Sequence, residues 1–137
     1  MPHFRFSIDI EVRFRDLDAL GHVNNAVYLT YFEVARMHYW RNLFGRNAFE
    51  EFSYILVRSE CNYRSPAHHG DHLKVSARVS AMRNSSFTFD YEVTDLQSGR
   101  LVADGQTIQA WLEQEGKKTS PIPGEIRKRI TDFEGEL

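Results

Sequence analysis

The feature that most restricts the fold is a long helical segment with almost no polar face. Between Asn25 and Phe44, aromatic and aliphatic residues fill most positions. A helix that is apolar around most of its circumference has to be covered by other structure rather than lie on a surface. Gly45 is a typical helix stop. We therefore predict one long helix from Asn25 to Phe44, wrapped by the rest of the chain.

Most of the remaining sequence has the alternating pattern of half-buried strands. Turn-forming sequences at Arg83–Ser86 and Gln97–Arg100 favour hairpins between consecutive strands. Ile126, Ile130 and Phe133 have helical spacing near the end. We therefore predict an α+β fold, with an antiparallel sheet of about five strands curled around the long helix and a short terminal helix. The predicted strands are Phe4–Phe14, Ile55–Tyr63, Leu73–Met82, Phe87–Thr94 and Leu101–Leu112.

Length and charge exclude several classes of function. The 137 residues are expected to form one domain spanning residues 1–137. With 17 basic against 19 acidic residues, the chain lacks the overall positive field that nucleic acid or an anionic membrane requires. No apolar stretch approaches a membrane span, and the start lacks a signal-peptide pattern, so we expect a cytoplasmic protein without membrane contact. Cys61 is the only cysteine, which excludes an internal disulfide.

Polar residues are concentrated where the first strand pattern meets the helix. Arg15–Asn25 contains two carboxylates, an imidazole and two carboxamides. Free backbone N–H groups and the partial positive charge at a helix N-terminus suit a polarised carbonyl or an oxyanion. The alternative is a polar connection that ends in an asparagine cap.

A resemblance to a known family narrows these alternatives. The segment reads DxDxxGHVNNxxYxxYFExxR, and Tyr63–Ala67, Gly70–Val75 and Ser85–Val93 match further patterns. Nearly the whole chain thus resembles the hotdog-fold acyl thioesterases of the 4-hydroxybenzoyl-CoA thioesterase type. Its HVNN sequence is similar to the branch that includes the plant acyl-carrier-protein thioesterases. This resemblance implies a hotdog fold and thioester hydrolysis.

By the same resemblance, Asp18 is the catalytic carboxylate. It would either attack the acyl carbon as a nucleophile or deprotonate an attacking water as a general base, and the sequence does not decide between the two. A purely structural alternative is an aspartate that accepts hydrogen bonds from loop N–H groups. Asp16 is expected to shape the loop or pair with a nearby arginine.

The residues that follow Asp18 receive different roles. His22 either orients Asp18 or donates to the substrate carbonyl, although loop carbonyls alone could satisfy it. Asn24 is interpreted mainly as the helix N-cap, next to the substrate. Asn25 stands where another branch has a histidine, and its backbone N–H is the expected oxyanion donor. Tyr28 could line the acyl pocket, although core packing also explains it.

Other residues are candidates for binding the phosphates of coenzyme A or, because metal-ligand residue types cluster there, for binding a metal ion. For the phosphates, the resemblance favours Arg83 with Ser85 and Ser86, and Arg58 with Ser59, often supplied by a neighbouring subunit. Glu33 and Arg36 are expected to form a surface ion pair, with Glu33 a minor catalytic candidate. A further group of potential metal ligands is clustered before the third strand pattern. Because an ordinary polar loop explains this cluster as well as a metal site does, we predict no metal. This group is His68, His69, Asp71 and His72.

The sequence therefore predicts an acyl-CoA thioesterase that needs no dissociable cofactor, since coenzyme A is part of the substrate. The alternatives are an acyl-carrier-protein thioesterase and a non-catalytic acyl-CoA sensor. A curled sheet leaves an exposed strand edge. Hotdog proteins cover it by dimerising, so the resemblance also implies a homodimer or homotetramer.

Overall fold

The computed structural model describes residues 3–47, 52–135 and 137. These residues form one five-stranded antiparallel sheet, a long helix and a shorter terminal helix, which confirms the predicted α+β architecture. The strand order is β1-β3-β4-β5-β2, so β3, β4 and β5 form a meander and β2 lies at one edge. The elements are β1 (Ser7–Glu11), α1 (Val27–Phe44), β2 (Tyr54–Tyr63), β3 (His72–Met82), β4 (Ser86–Asp95), β5 (Leu101–Trp111) and α2 (Gly124–Glu134).

Helix α1 is the centre of the core, as its composition predicts. Phe32, Tyr39 and Trp40 have no exposed surface, and each contacts aromatic rings of the sheet or of the neighbouring segments. At the end of the helix, the Gly45 N–H donates to the Arg41 carbonyl oxygen, and Gly45 adopts a φ of 99°. The predicted stop is therefore confirmed, whereas the helix begins at Val27, two residues later than predicted.

The first strand is shorter than predicted. The alternation from Phe4 to Phe14 indicates a long strand, but β1 covers only Ser7–Glu11 and pairs with β3. Beyond it, the Arg13 N–H donates to the Asp16 carboxylate at 2.9 Å and the chain turns into a short 3-10 helix at Phe14–Asp16. This local hydrogen bond replaces the strand ladder. Phe14 is consequently 79% exposed rather than buried.

Helix α2 is attached to the sheet by its last turn. The Glu134 carboxylate accepts the Tyr39 hydroxyl at 2.6 Å and the Val79 N–H at 3.0 Å. Val79 lies at an irregularity in the pairing of β3 with β4, where one N–H would otherwise lack a partner. None of the helices among the described residues is long and apolar enough to cross a membrane.

Candidate active site

The loop between the 3-10 helix and α1 folds back on itself like a small hairpin. The Asp18 N–H donates to the His22 carbonyl at 2.7 Å, and the Gly21 N–H donates to the Asp18 carbonyl at 3.1 Å. Gly21 has a φ of 79°, a conformation that favours glycine at this bend. The Val23 N–H then donates to the Ala67 carbonyl at 2.9 Å, which fixes the loop to the segment after β2.

Asp18 has one carboxylate oxygen that is held and one that is free. Its Oδ1 accepts the Leu20 N–H at 2.8 Å and the His22 N–H at 3.2 Å. Its Oδ2 accepts no hydrogen bond from the residues that the structure describes. The turn-forming interpretation of Asp18 therefore holds for one oxygen, and the other oxygen remains available for chemistry.

Asp16 anchors the base of this loop and is itself buried. Its carboxylate accepts the Arg13 guanidinium at 2.9 Å and the Tyr31 hydroxyl at 2.8 Å. Burial acts to raise the pKa of Asp16, but the hydrogen bonds from Arg13 and Tyr31 and the Arg13 charge outweigh it and hold this pKa below its ordinary value. The expected pairing with a nearby arginine is present.

The turn that leads into α1 presents a free donor beside this loop. Asn25 lies one residue before the Ala26 cap rather than in the first helical turn as predicted, and within the described ranges its backbone N–H has no acceptor. The Asn25 carbonyl accepts the Tyr63 hydroxyl at 3.0 Å. Asn24 is not the N-cap itself, because Ala26 occupies the cap position and the Asn24 Oδ1 accepts the Ala26 N–H at 2.9 Å.

A surface cleft of about 290 Å³ brings these groups together. It contains four residues that the sequence predicted for the site. These are Asp18, His22, Asn25 and Tyr28. Tyr28 is 3% exposed, and burial raises its pKa to about 12, so its phenol is a neutral wall of the cleft.

Sequence reasoning assigned no catalytic role to the opposite wall of the cleft. Tyr63, Arg64, Ser65 and Pro66 at the end of β2 form it. The Arg64 guanidinium forms a bidentate salt bridge with the Asp104 carboxylate, with distances of 3.0 and 3.2 Å. The Arg100 guanidinium donates to Ser65 Oγ at 2.8 Å. The signal that could have found this wall was the match of Tyr63–Ala67 to the family pattern.

The other predicted substrate contacts lie away from this cleft within one chain. Arg83, Ser85 and Ser86 lie at the turn between β3 and β4, roughly 30 Å along β3 from the end near the cleft. Arg58 lies in the middle of β2, is exposed and pairs with Glu60 at 3.1 Å, and Ser59 follows it. One chain does not bring these residues to Asp18, so their proposed role depends on a second copy.

His22 adjoins another histidine rather than a metal cluster. The His22 and His68 rings meet edge to face with centroids 5.1 Å apart, and His68 Nδ1 lies 3.8 Å from the Asp71 carboxylate. Across the described residues, no group of three or more potential ligands is arranged to hold a metal ion.

The predicted surface ion pair between Glu33 and Arg36 is wrong. Arg36 is 6% exposed and points into the core, where its Nη1 donates to the Tyr91 hydroxyl at 2.9 Å. Thr107 Oγ1 lies within hydrogen-bond reach of the same nitrogen. Glu33 stays exposed. The spacing rule places both residues on neighbouring positions of the helix, but the hydroxyl groups of the sheet bind the arginine inside the core.

The matches of this chain to known proteins agree with one another. Residues 12–130 match the model of the thioesterase-like superfamily. The chain is 29% identical over 126 residues to the long-chain acyl-CoA thioesterase FadM of Escherichia coli, covering 88% of this chain and 93% of that protein. It is 30% identical over 130 residues to the chloroplastic acyl-acyl carrier protein thioesterase ATL3 of Arabidopsis thaliana, covering 92% of this chain and 67% of that protein.

A solved structure agrees with the fold over the whole chain. The crystal structure of a thioesterase from Thermus thermophilus, complexed with coenzyme A and zinc, superposes with a TM-score of 0.88. The two sequences are 38% identical, and the alignment covers 100% of both chains.

Proposed function

The chain belongs to the thioesterase-like superfamily and is a thioester hydrolase, and we propose that it hydrolyses acyl-CoA thioesters to a free acid and coenzyme A. Its sheet and helices form the hotdog fold that the sequence resemblance implied. The acyl-CoA substrate class is supported by the similarity to FadM and by the coenzyme A in the Thermus structure.

One observation carries the proposed chemistry: Asp18 and Asn25 line the same cleft, and within the described residues the Oδ2 of Asp18 and the N–H of Asn25 have no hydrogen-bond partner. A thioester already has a good leaving group, so the enzyme must supply an attacking oxygen and stabilise the oxyanion. The Asn25 N–H donates to that oxyanion, at the positive end of the α1 dipole.

Asp18 acts in one of two ways. As a general base, Oδ2 takes a proton from water while the water oxygen bonds to the acyl carbon. As a nucleophile, Oδ2 bonds to that carbon itself, and water then hydrolyses the resulting mixed anhydride. In both cases the carbon–sulfur bond breaks and the sulfur leaves as the thiolate of coenzyme A. His22 lines the same cleft, where its imidazole can donate to the thioester carbonyl.

We further propose that the active protein is a homodimer or a homotetramer built from such dimers. Strand β2 is an edge strand, and its apolar side chains Ile55, Leu56 and Val57 are 51%, 50% and 60% exposed. An exposed apolar edge invites pairing with the same edge of another copy. That arrangement brings Arg58 and Ser59 to the interface, and with them the proposed contacts to coenzyme A.

A second candidate substrate is an acyl-carrier-protein thioester, which the similarity to the Arabidopsis enzyme favours. An acidic carrier needs free basic groups around the cleft. Arg64 is paired with Asp104, and Arg100 donates to Ser65 and the Pro66 carbonyl. We favour coenzyme A because the similarity to FadM and the coenzyme A in the Thermus structure both support it.

Thiol release distinguishes these functions. Matched acyl groups, short, long and aromatic, are presented on coenzyme A and on a carrier protein, and free thiol is measured over time. Faster release from coenzyme A supports the proposal. Release from the carrier alone supports the second candidate. Binding of acyl-CoA in calorimetry without any release would mean a sensor and would overturn the proposed hydrolysis.

A further inference from the structure

We propose that the hydroxyl groups of Tyr31 and Tyr63 act together as a clamp that fixes Asp18 relative to the Asn25 N–H. This inference rests on the proposed function, because it assigns positioning roles for the same site. Neither tyrosine belongs to the loop, and each hydroxyl donates its proton to a group at one end of the loop.

The Tyr31 hydroxyl holds the base of the loop. Tyr31 lies on α1 and is 3% exposed, and its hydroxyl donates to Asp16 Oδ2 at 2.8 Å. The Asp16 carbonyl also accepts the Asn24 N–H at 2.9 Å, so both ends of the loop meet at Asp16. Helix α1, which follows the oxyanion donor Asn25, is therefore bonded directly to Asp16, the residue at which the Asp18 loop begins and closes.

The Tyr63 hydroxyl holds the oxyanion donor from the other side. It extends from the last residue of β2 and donates to the Asn25 carbonyl at 3.0 Å. Its ring packs edge to face against Tyr28, with centroids 5.6 Å apart. The carbonyl and the N–H of Asn25 flank one α-carbon, so a fixed carbonyl restrains the direction of the N–H.

Both clamp hydroxyls remain donors over the pH range in which thioesters are assayed. Burial and the bond to Asp16 raise the pKa of Tyr31 far above its ordinary value. Partial burial, with Cys61 nearby, raises the pKa of Tyr63. Neither phenol therefore loses its proton near neutral pH, and the clamp stays closed there.

The clamp matters for rate because a small displacement of reacting groups is costly. A misplacement of ~1 Å can lower a rate by about 100-fold. Replacing either tyrosine by phenylalanine removes one oxygen and keeps the ring packing. Asp16 keeps its bonds from Arg13, and the exposed Asn25 carbonyl can bind water, so neither variant leaves a buried group without a partner.

Steady-state kinetics of Tyr31→Phe, Tyr63→Phe and the double variant test this proposal. We expect each single variant to lower kcat by roughly 10-fold, because a displacement of less than ~1 Å is sufficient, with KM changed less than about 2-fold. The double variant should lose less than the product of the two single losses, because both hydroxyls fix one geometry. Tyr39→Phe is the matched control, since its hydroxyl binds Glu134 away from the cleft, and its kcat should equal that of the wild type.

Several outcomes would overturn the clamp. A raised KM at unchanged kcat for Tyr63→Phe would make this hydroxyl a substrate contact. Unchanged kinetics in both single variants would remove any positioning role, and fully multiplicative losses would mean two independent effects. Thermal melting of each variant separates these results from unfolding.

If the wild type hydrolyses acyl-CoA while both tyrosine variants behave as wild type, the clamp fails and the proposed function survives. A wild type without hydrolysis would instead reject the proposed function.

Discussion

The ring of Phe32 stacks on the ring of Tyr91, with centroids 4.3 Å apart and planes inclined by 6°. This contact presses α1 against the middle of the sheet beside Gly105 of β5. A Cβ atom at Gly105 would lie only 2.6 Å from the Phe32 ring and would also meet the Glu60 carbonyl. The close approach of the helix to the sheet therefore requires glycine at this position.

Gly105→Ala should lower the free energy of unfolding by about 1–3 kcal/mol, because the buried ring and the strand backbone must move apart. Denaturant unfolding followed by circular dichroism measures this change. Gly124→Ala is the matched control, since no atom lies within 4 Å of its added Cβ. Gly124 is the first residue of α2, where alanine is at least as favourable as glycine, so the control should be no less stable than the wild type. Equal stability of the two variants would contradict this account of the packing.

Most of the fold was predictable because strong periodicity and turn residues coincide. The ends of β3, β4 and β5 agree with prediction within one residue, and the hairpin turns at Arg83–Ser86 and Gln97–Arg100 are present. The first strand was overpredicted because alternation continues beyond Glu11, where the Arg13–Asp16 contact turns the chain. Such a side-chain cap leaves no mark on hydrophobic periodicity.

The grouping of the candidate site residues was predictable where they are close together in sequence. Asp18, His22, Asn25 and Tyr28 meet in one cleft because one loop and one helical turn carry them. Tyr63 contributes from a strand far along the chain, so its contact with Asn25 depends on the tertiary fold. The burial of Arg36 was unpredictable for the same reason. Its hydroxyl partners, Tyr91 and Thr107, come from β4 and β5.

The buried Asp16 carboxylate predicts a specific loss of stability in acid. Its pKa in the folded protein is below the ordinary value of ~3.9, so its contribution is present above that pH and is lost as the pH falls through the folded pKa. Asp16→Asn should therefore cost about 1–3 kcal/mol at neutral pH, and the difference from wild type should shrink in acid below pH ~4.

Denaturant unfolding at a series of pH values measures this difference. Asp132→Asn is the control, because the Asp132 side chain is 54% exposed and pairs with Lys128 on the surface. The control should follow the wild type at every pH. A cost for Asp16→Asn that did not vary with pH would show that the charge of Asp16 is not the stabilising feature.

The proposed pairing of two copies through the exposed edge of β2 predicts that a charge there separates them. Val57→Lys should convert the proposed oligomer into a monomer, because a lysine on an edge strand opposes pairing with another strand. Light scattering after size-exclusion chromatography at micromolar concentration measures the mass. Leu96→Lys is the control, since Leu96 is also exposed but lies in the turn after β4. A monomeric wild type, or an unchanged mass for Val57→Lys, would reject the proposed interface.

The most direct test of the central claim is the rate of thiol release by Asp18→Asn. The asparagine oxygen can still accept the Leu20 and His22 N–H groups, so the loop should keep its shape. We expect kcat/KM to fall by roughly 10²- to 10⁴-fold, the range for losing a general base, while the melting temperature stays near that of wild type. Asp95→Asn is the control, because Asp95 also accepts a turn N–H but lies outside the cleft. Full activity in Asp18→Asn would contradict the assignment of Asp18 as the reacting carboxylate.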